Sequence, residues 1–131
     1  MLDTDTCIFL MRGASKKLEA MVQSVPLQQQ VMSAVTFAEL TYGVQASATA
    51  KRKQNQITLD SLALHLAVLD WPQAAARYYA EIRYDLKKRG AQLGAADLMI
   101  AAHARAINAI VVTNNVKDFM RVKGLEVENW T

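Results

Sequence analysis

The chain has 131 residues, a formal net charge of +3, and 52% hydrophobic against 21% charged residues. That length fits one domain, residues 1–131, with one core, and the composition excludes disorder, which needs low hydrophobicity with high net charge. The mild positive charge suits a polyanionic partner without requiring one. Cys7 is the only cysteine, which rules out an internal disulfide. A small buried residue in a reducing cytosol explains it better than a reactive thiol does. No apolar run approaches the roughly 18 residues of a membrane span, and the chain opens with Asp3 and Asp5 instead of the basic start of a signal peptide. The expectation is a soluble, cytoplasmic protein with no membrane association.

Met1-Leu2 is a very short first strand, and Cys7 to Leu10 continue as the opening turns of a helix. Gly13-Ala14-Ser15 breaks that pattern, and Ser15 caps a second helix to about Gln23. Val31 to Val35 is a short buried strand. Thr36 starts a helix through Tyr42, which Gly43 interrupts or ends. Ala48 to Leu66 is a long helical pattern with Ile57, Leu59, Leu62, Leu64 and Leu66 on broad apolar faces, opened by the exposed Lys51-Arg52-Lys53. Ala67-Val68-Leu69 is a third strand. Pro72 suits the first turn of a helix to about Arg89, which Gly90 ends. Ala96 to Ile107 is an apolar, buried helix. Ala109 to Thr113 is the clearest strand, continuous enough for a central parallel position. A short helix near Asp118 and an edge strand near Leu125-Glu126-Val127 complete the chain. Strands alternating with helices predict an α/β fold: a short central parallel sheet flanked by helices on both faces.

Four strand-to-helix junctions carry acids or an amide: Asp3 and Asp5, Glu39, Asp97, and Asn115. In an open α/β sheet such junctions converge at the carboxyl edge, where ligands bind. Two charges about 4 Å apart repel by roughly 4 kcal/mol at an effective dielectric of about 20, so a carboxylate cluster calls for a cation, a shared proton or basic partners. Each residue also has a plain structural account. If the backbone stays extended, Asp3 and Asp5 face one side; alternatively Asp5 or Thr6 caps the next helix, a role that suits Asp3 less. Glu39, three residues after Thr36, fits a capping box, which does not stop it reaching a metal. Asp97 is favoured by the dipole of the helix it begins, but its neighbours Ala95, Ala96, Leu98 and Met99 make an apolar setting in which a carboxylate needs a partner. Asn115 suits a turn, or its amide oxygen could accept from a water on the cation, with Asp118 supplying charge one helical turn on. His103 fits a packed or partner-facing position and His65 a structural one, and one cysteine with two distant histidines makes no zinc pattern. No Gly-rich phosphate loop or nucleophile elbow occurs. Arg83, Lys87 and Lys88 lie on one helix, either as a solvated face or as a hold on a phosphate backbone, with Tyr78, Tyr79 and Tyr84 available to stack on bases.

Met1-Leu2-Asp3-Thr4-Asp5, Val35-Thr36-Phe37-Ala38-Glu39-Leu40-Thr41-Tyr42-Gly43, Gly94-Ala95-Ala96-Asp97-Leu98-Met99-Ile100-Ala101-Ala102-His103-Ala104 and Val112-Thr113-Asn114-Asn115-Val116-Lys117-Asp118-Phe119 resemble, in order and spacing, the four blocks of PIN-domain toxins of the VapC type. The resemblance runs essentially end to end. It implies a Mg²⁺- or Mn²⁺-dependent endoribonuclease, the toxin of a bacterial toxin–antitoxin pair. It implies Asp3, Glu39 and Asp97 as the main acids and metal ligands, Asn115 where many members carry a fourth acid, and Thr4 and Thr113 as supports. It leans toward initiator tRNA, cut in the anticodon stem-loop, as the substrate. It also implies a VapB-type antitoxin that lays a helix and an extended tail across the toxin, an antitoxin arginine replacing the metal's charge, and a homodimer. Asp5 stands where the family usually has Asn, which adds one negative charge.

The chemistry this implies is metal-assisted hydrolysis of an RNA phosphodiester, with a single-stranded loop as the accessible target. Two other classes compete. A receiver-type signalling domain needs an aspartate at its third strand end and a lysine after its fifth, and neither is present. A catalytically silent PIN domain that only binds RNA or an antitoxin is kept open by Asn115 and Asp5.

Overall fold

A computed structural model describes residues 1–131. Its strands are short and parallel. β1 (Val31–Ser33) pairs with β2 (Ala67–Leu69), Met32 opposite Val68, and β3 (Val111–Val112) pairs with β4 (Val127–Glu128). The segment Met1–Asp3 joins the two pairs. Val112 N donates to Met1 O at 2.8 Å, Asp3 N to Val112 O at 3.0 Å, and Leu2 N to Val31 O at 2.9 Å. The spatial order is therefore β4, β3, the N-terminal segment, β1, β2. The inner positions are the apolar runs, as burial on both faces requires.

Seven helices cover this sheet: α1 (Thr4–Arg12), α2 (Lys16–Ser24), α3 (Ala34–Ala46), α4 (Thr49–His65), α5 (Ala75–Lys88), α6 (Ala95–Ala106) and α7 (Val116–Phe119). The core divides accordingly. Leu18, Met32, Leu40, Leu59, Leu62 and Leu66 pack among α1 to α4. Ile82, Leu86, Leu98, Ile100, Ala104 and Phe119 pack among α5 to α7. The α/β arrangement with helices on both faces is as expected, although the molecule is mostly helical. No helix is long and apolar enough to cross a membrane.

Several boundaries differ from the sequence expectation, each for a local reason. α1 starts at Thr4 because Asp3, at φ −77° and ψ 176°, is its N-cap and accepts from Thr6 N at 2.9 Å. The cap is thus Asp3, not Asp5 or Thr6. β1 stops at Ser33, whose hydroxyl accepts from Val35 N at 3.2 Å and opens α3 there. Thr36 is then already inside the helix, and no capping box forms with Glu39. α3 runs through Gly43 to Ala46, because the roughly 1 kcal/mol a mid-helix glycine costs is outweighed by burial of Leu40 and Val44 on either side. Pro72 precedes α5: Ala75 N closes a turn on Pro72 O at 2.9 Å before the helix begins. β3 covers only Val111–Val112 of the expected strand, and Asn108, at a left-handed φ of 55°, lies in the turn between α6 and β3. β4 lies at Val127–Glu128, slightly beyond the expected edge strand. His103 is packed, as expected: it is buried on α6, with Nδ1 2.8 Å from Ser33 Oγ.

Candidate active site

The chain leaves the N-terminal segment at Asp3, β1 at Ser33 and β3 at Thr113, all toward one edge of the parallel sheet. Asp3 is 2% exposed, and both its oxygens are engaged. Oδ1 accepts from Thr6 N at 2.9 Å, and Oδ2 from the buried Thr113 hydroxyl at 2.5 Å. Burial raises the Asp3 pKa, the bonds from Thr113 and Thr6 oppose that rise, and Asp5 adds to it. Thr6 further ties α1 to the sheet by donating its hydroxyl to Val112 O at 3.1 Å.

Glu39 projects from α3 and is exposed. Thr4, in the first turn of α1, donates its hydroxyl to Glu39 Oε1 at 2.5 Å, with the Thr36 hydroxyl 3.3 Å away. Thr4 of α1 thereby holds a glutamate that projects from α3.

Asp97 sits partly buried in the first turn of α6, whose N-cap Gly94 offers no side chain. Its pKa is pushed up to about 6, first by burial and then by the charges of Asp3, Glu39, Asp5 and Asp118. Four carboxylates from three other parts of the chain thus act on this one. Asp3, Asp5, Glu39 and Asp97 take part in no ion pair, so no lysine or arginine neutralises them. The last junction is organised around Thr113. Asn115 N donates to Thr113 Oγ1 at 2.8 Å, and Asn115 Nδ2 donates to Asp118 Oδ2 at 2.8 Å.

The structure therefore brings Asp3, Thr4, Asp5, Glu39, Asp97, Thr113 and Asn115 together. Asp5 is in the first helical turn, however, not on an extended strand shared with Asp3. No three acidic, histidine or cysteine side chains converge into a ready-made metal cage. The two observations are compatible, because charge repulsion reaches further than a ligand bond. An all-oxygen, uncompensated donor set with loose spacing fits a hard divalent ion that takes one or two carboxylates and keeps several waters. It does not fit a closed four-ligand zinc site.

Arg83, Lys87 and Lys88 are exposed on α5 and do not touch the carboxylates. α5 and α6 form an antiparallel hairpin, with Tyr78 near the start of α5 under Arg105 near the end of α6 at 5.1 Å. Lys87 and Lys88 consequently lie at the end from which the chain enters Asp97's helix. Arg83 bonds the Tyr79 hydroxyl at 3.1 Å, and Lys88 lies 5.6 Å over the Tyr84 ring. Sequence reasoning passed over Ser33 and Arg121, took Thr6 only as a possible cap, and offered Asp118 only as a supplier of charge. The only local signal was Thr6, three residues after Asp3, where an N-cap side chain finds its donor.

A groove of about 560 Å³ lies away from the carboxylate cluster between α1, α2 and α4, lined by Leu10, Val22, Leu27, Ile57 and Leu62 among others. A smaller one of about 240 Å³ shares Met11 and Thr58 with it and reaches Glu39.

The PIN domain family model matches residues 1–125. The chain is 38% identical over 133 residues to the tRNA(fMet)-specific endonuclease VapC of Shigella flexneri, covering 100% of this chain and 97% of that protein. It is 37% identical over 134 residues to ribonuclease VapC2 of Rickettsia felis, covering 99% and 96%. Among solved structures, that of DNA-bound VapBC from Salmonella typhimurium matches with a TM-score of 0.93 at 33% identity, covering 100% of this chain and 97% of that one.

Proposed function

Since the chain belongs to the VapC family of PIN-domain ribonucleases, we propose that its carboxylate cluster is a divalent-metal site that hydrolyses RNA phosphodiester bonds, with Asp3, Glu39 and Asp97 as ligands. One observation carries this reading: Asp97 is held among Asp3, Glu39, Asp5 and Asp118 with its pKa raised to about 6, and no basic side chain pairs with the first three acids or Asp97. Such a site gains most from a bound cation.

Held by Asp3, Glu39 and Asp97, a Mg²⁺ or Mn²⁺ ion would supply activation of a water and stabilisation of the leaving oxygen. The protein does the rest. Thr113 and Thr6 oppose the rise that burial imposes on the Asp3 pKa and fix the carboxylate in direction. Thr4 aims Glu39. Asn115, anchored at its backbone by Thr113, presents its amide at the fourth position, where it orients water without adding charge. Asp5 adds negative potential at the rim. Arg83, Lys87 and Lys88 hold the RNA backbone beside Asp97.

The protein acts as the toxin of a toxin–antitoxin pair, residues 1–131 forming one PIN domain, as a homodimer in the cytoplasm. A helix of a VapB-type antitoxin fills the groove between α1, α2 and α4. Leu27 and Ile57, 51% and 52% exposed on its wall, are the apolar surface such a helix would cover. The smaller groove leads an extended tail toward Glu39. The substrate is RNA, with initiator tRNA favoured by the name of the Shigella relative.

The test is cleavage of RNA, including initiator tRNA, by the purified protein with Mg²⁺ or Mn²⁺ and then with EDTA. Cleavage should require the ion, and Asp97→Asn should abolish it while leaving the circular dichroism spectrum unchanged. Undiminished, EDTA-sensitive cleavage by Asp97→Asn would overturn the site assignment. Absence of cleavage by the native protein on any RNA would favour a binding module instead.

A further inference from the structure

Arg121 lies outside the carboxylate cluster yet joins its two sides. Nη2 is 3.4 Å from Asp118 Oδ1, and Nη1 donates to Gln92 O at 2.8 Å. Its own carbonyl accepts from Arg89 Nη2. The other Asp118 oxygen takes Asn115 Nδ2, Asn115 N returns to Thr113 Oγ1, and Thr113 donates to Asp3. An unbroken line of polar contacts therefore runs from Asp3 at the sheet edge to Gln92, in the loop that leads into Asp97's helix.

The chemistry of the side chain suits this geometry. A guanidinium is a planar fork that serves two acceptors in fixed directions, which an ammonium cannot do. The ion pair is too exposed, with side chains 35% and 36% accessible, to contribute much stability. What it does fix is distance and charge. It holds the Asn115–Asp118 turn against the loop ahead of α6, and it neutralises the one carboxylate of the neighbourhood that has a basic partner. Without it, Asp118 would be free to swing, its charge, which already reaches Asp97, would go unpaired, and Asn115 would lose the acceptor that sets its amide.

We propose that Arg121 is a positioning residue, a strut whose guanidinium ties the Asn115–Asp118 turn to the Gln92 loop and so sets the spacing between the Asp3 and Asp97 sides of the site. This rests on the nuclease reading above, deepening it by one residue.

The experiment compares native protein with Arg121→Gln, Arg121→Lys, Asp118→Asn and the Asp118→Asn/Arg121→Gln pair. Three quantities are measured: kcat and KM on a short single-stranded RNA with Mg²⁺, Tm, and hydrogen exchange of the Asn115 side-chain amide by NMR without metal. Arg121→Gln should lower kcat about tenfold, as loss of outer support does, with KM and Tm little changed and Asn115 exchange faster. Arg121→Lys should fall between, and the paired variant should be no worse than Arg121→Gln alone, because the residues act as one unit. A raised KM with native kcat would show a direct phosphate contact and overturn the proposal. A lowered Tm with native kcat would reduce Arg121 to a fold staple and overturn it as well. If Arg121→Gln does not fold, Arg121→Lys decides by the same readouts. If the native protein cleaves no RNA, the function reading fails by itself, and unchanged Asn115 exchange in Arg121→Gln would separately sink the strut.

Discussion

Thr113 donates its hydroxyl to Asp3 Oδ2 at 2.5 Å, so the end of β3 holds a carboxylate placed at the other extreme of the chain. Asp3 is at once the N-cap of α1 and the deepest acid of the cluster. Its two oxygens are spoken for by α1's own backbone and by the neighbouring strand, which leaves little freedom in its direction and makes the site inseparable from the sheet edge.

Thr113→Val keeps shape and removes that donor. A buried carboxylate short of one hydrogen bond costs about 1–3 kcal/mol, and its already raised pKa should climb further. Urea unfolding should show that loss, and the pH–rate profile should shift to higher pH. In an Asp3→Asn background the same change should cost less, since no charge is left stranded. An equal cost in both backgrounds would show that the Thr113 hydroxyl matters for packing alone.

The Asp97 pKa rises from 3.8 to about 6 on folding, so between those values the folded state binds more protons than the unfolded state. Stability of the metal-free protein should therefore fall as pH rises through about 4 to 6. Asp97→Asn removes this contribution, so the difference between native and variant isolates it. His103 works in the opposite sense: burial lowers its pKa, and its contribution grows as pH rises. Added Mg²⁺ or Mn²⁺ should restore the stability lost above pH 6 in the native protein but not in Asp97→Asn. Thermal melts across pH, with and without the ion, check this.

Thr4→Val should separate catalysis from stability. The hydroxyl bond to Glu39 lies at an exposed residue, so its loss should cost no more than about 0.5 kcal/mol. Glu39 would then sample several rotamers, and kcat should fall about tenfold while Thr4→Ser keeps most activity. Equal loss in both variants would mean that the methyl group of Thr4, not its hydroxyl, is what the site needs.

The order of elements and the convergence of the four junctions were legible because each rests on local pattern: apolar runs for the inner strands, and acids where strands pass into helices. Which acid caps α1 was not legible, since Asp3, Asp5 and Thr6 all have cap chemistry. The choice falls to Asp3 because pairing of Leu2 with Val112 keeps its backbone extended. Glu39 looked like a capping-box residue until Ser33 took the cap three residues earlier, and its real partner, Thr4, lies on another helix. The same holds for Arg121, whose partners Gln92 and Arg89 are far away in sequence. Periodicity and spacing report on a helix or strand by itself and carry no signal for a contact between side chains that only folding brings together.

The basic end of α5 gives the last prediction. Arg83, Lys87 and Lys88 are exposed, and Tyr84 beside them is 66% accessible, so glutamine at all three positions should leave the fold untouched. For every phosphate of single-stranded RNA that is no longer neutralised, the slope of log affinity against log salt should shrink by about 0.7. Cleavage of a long RNA should then slow through KM, with kcat retained, whereas cleavage of a dinucleotide too short to reach the helix should be unaffected. Filter binding over a salt series, paired with kinetics on both substrates, makes the comparison. An unchanged salt slope would mean that these charges are a solvated face, and that the RNA lies on another side of the carboxylates.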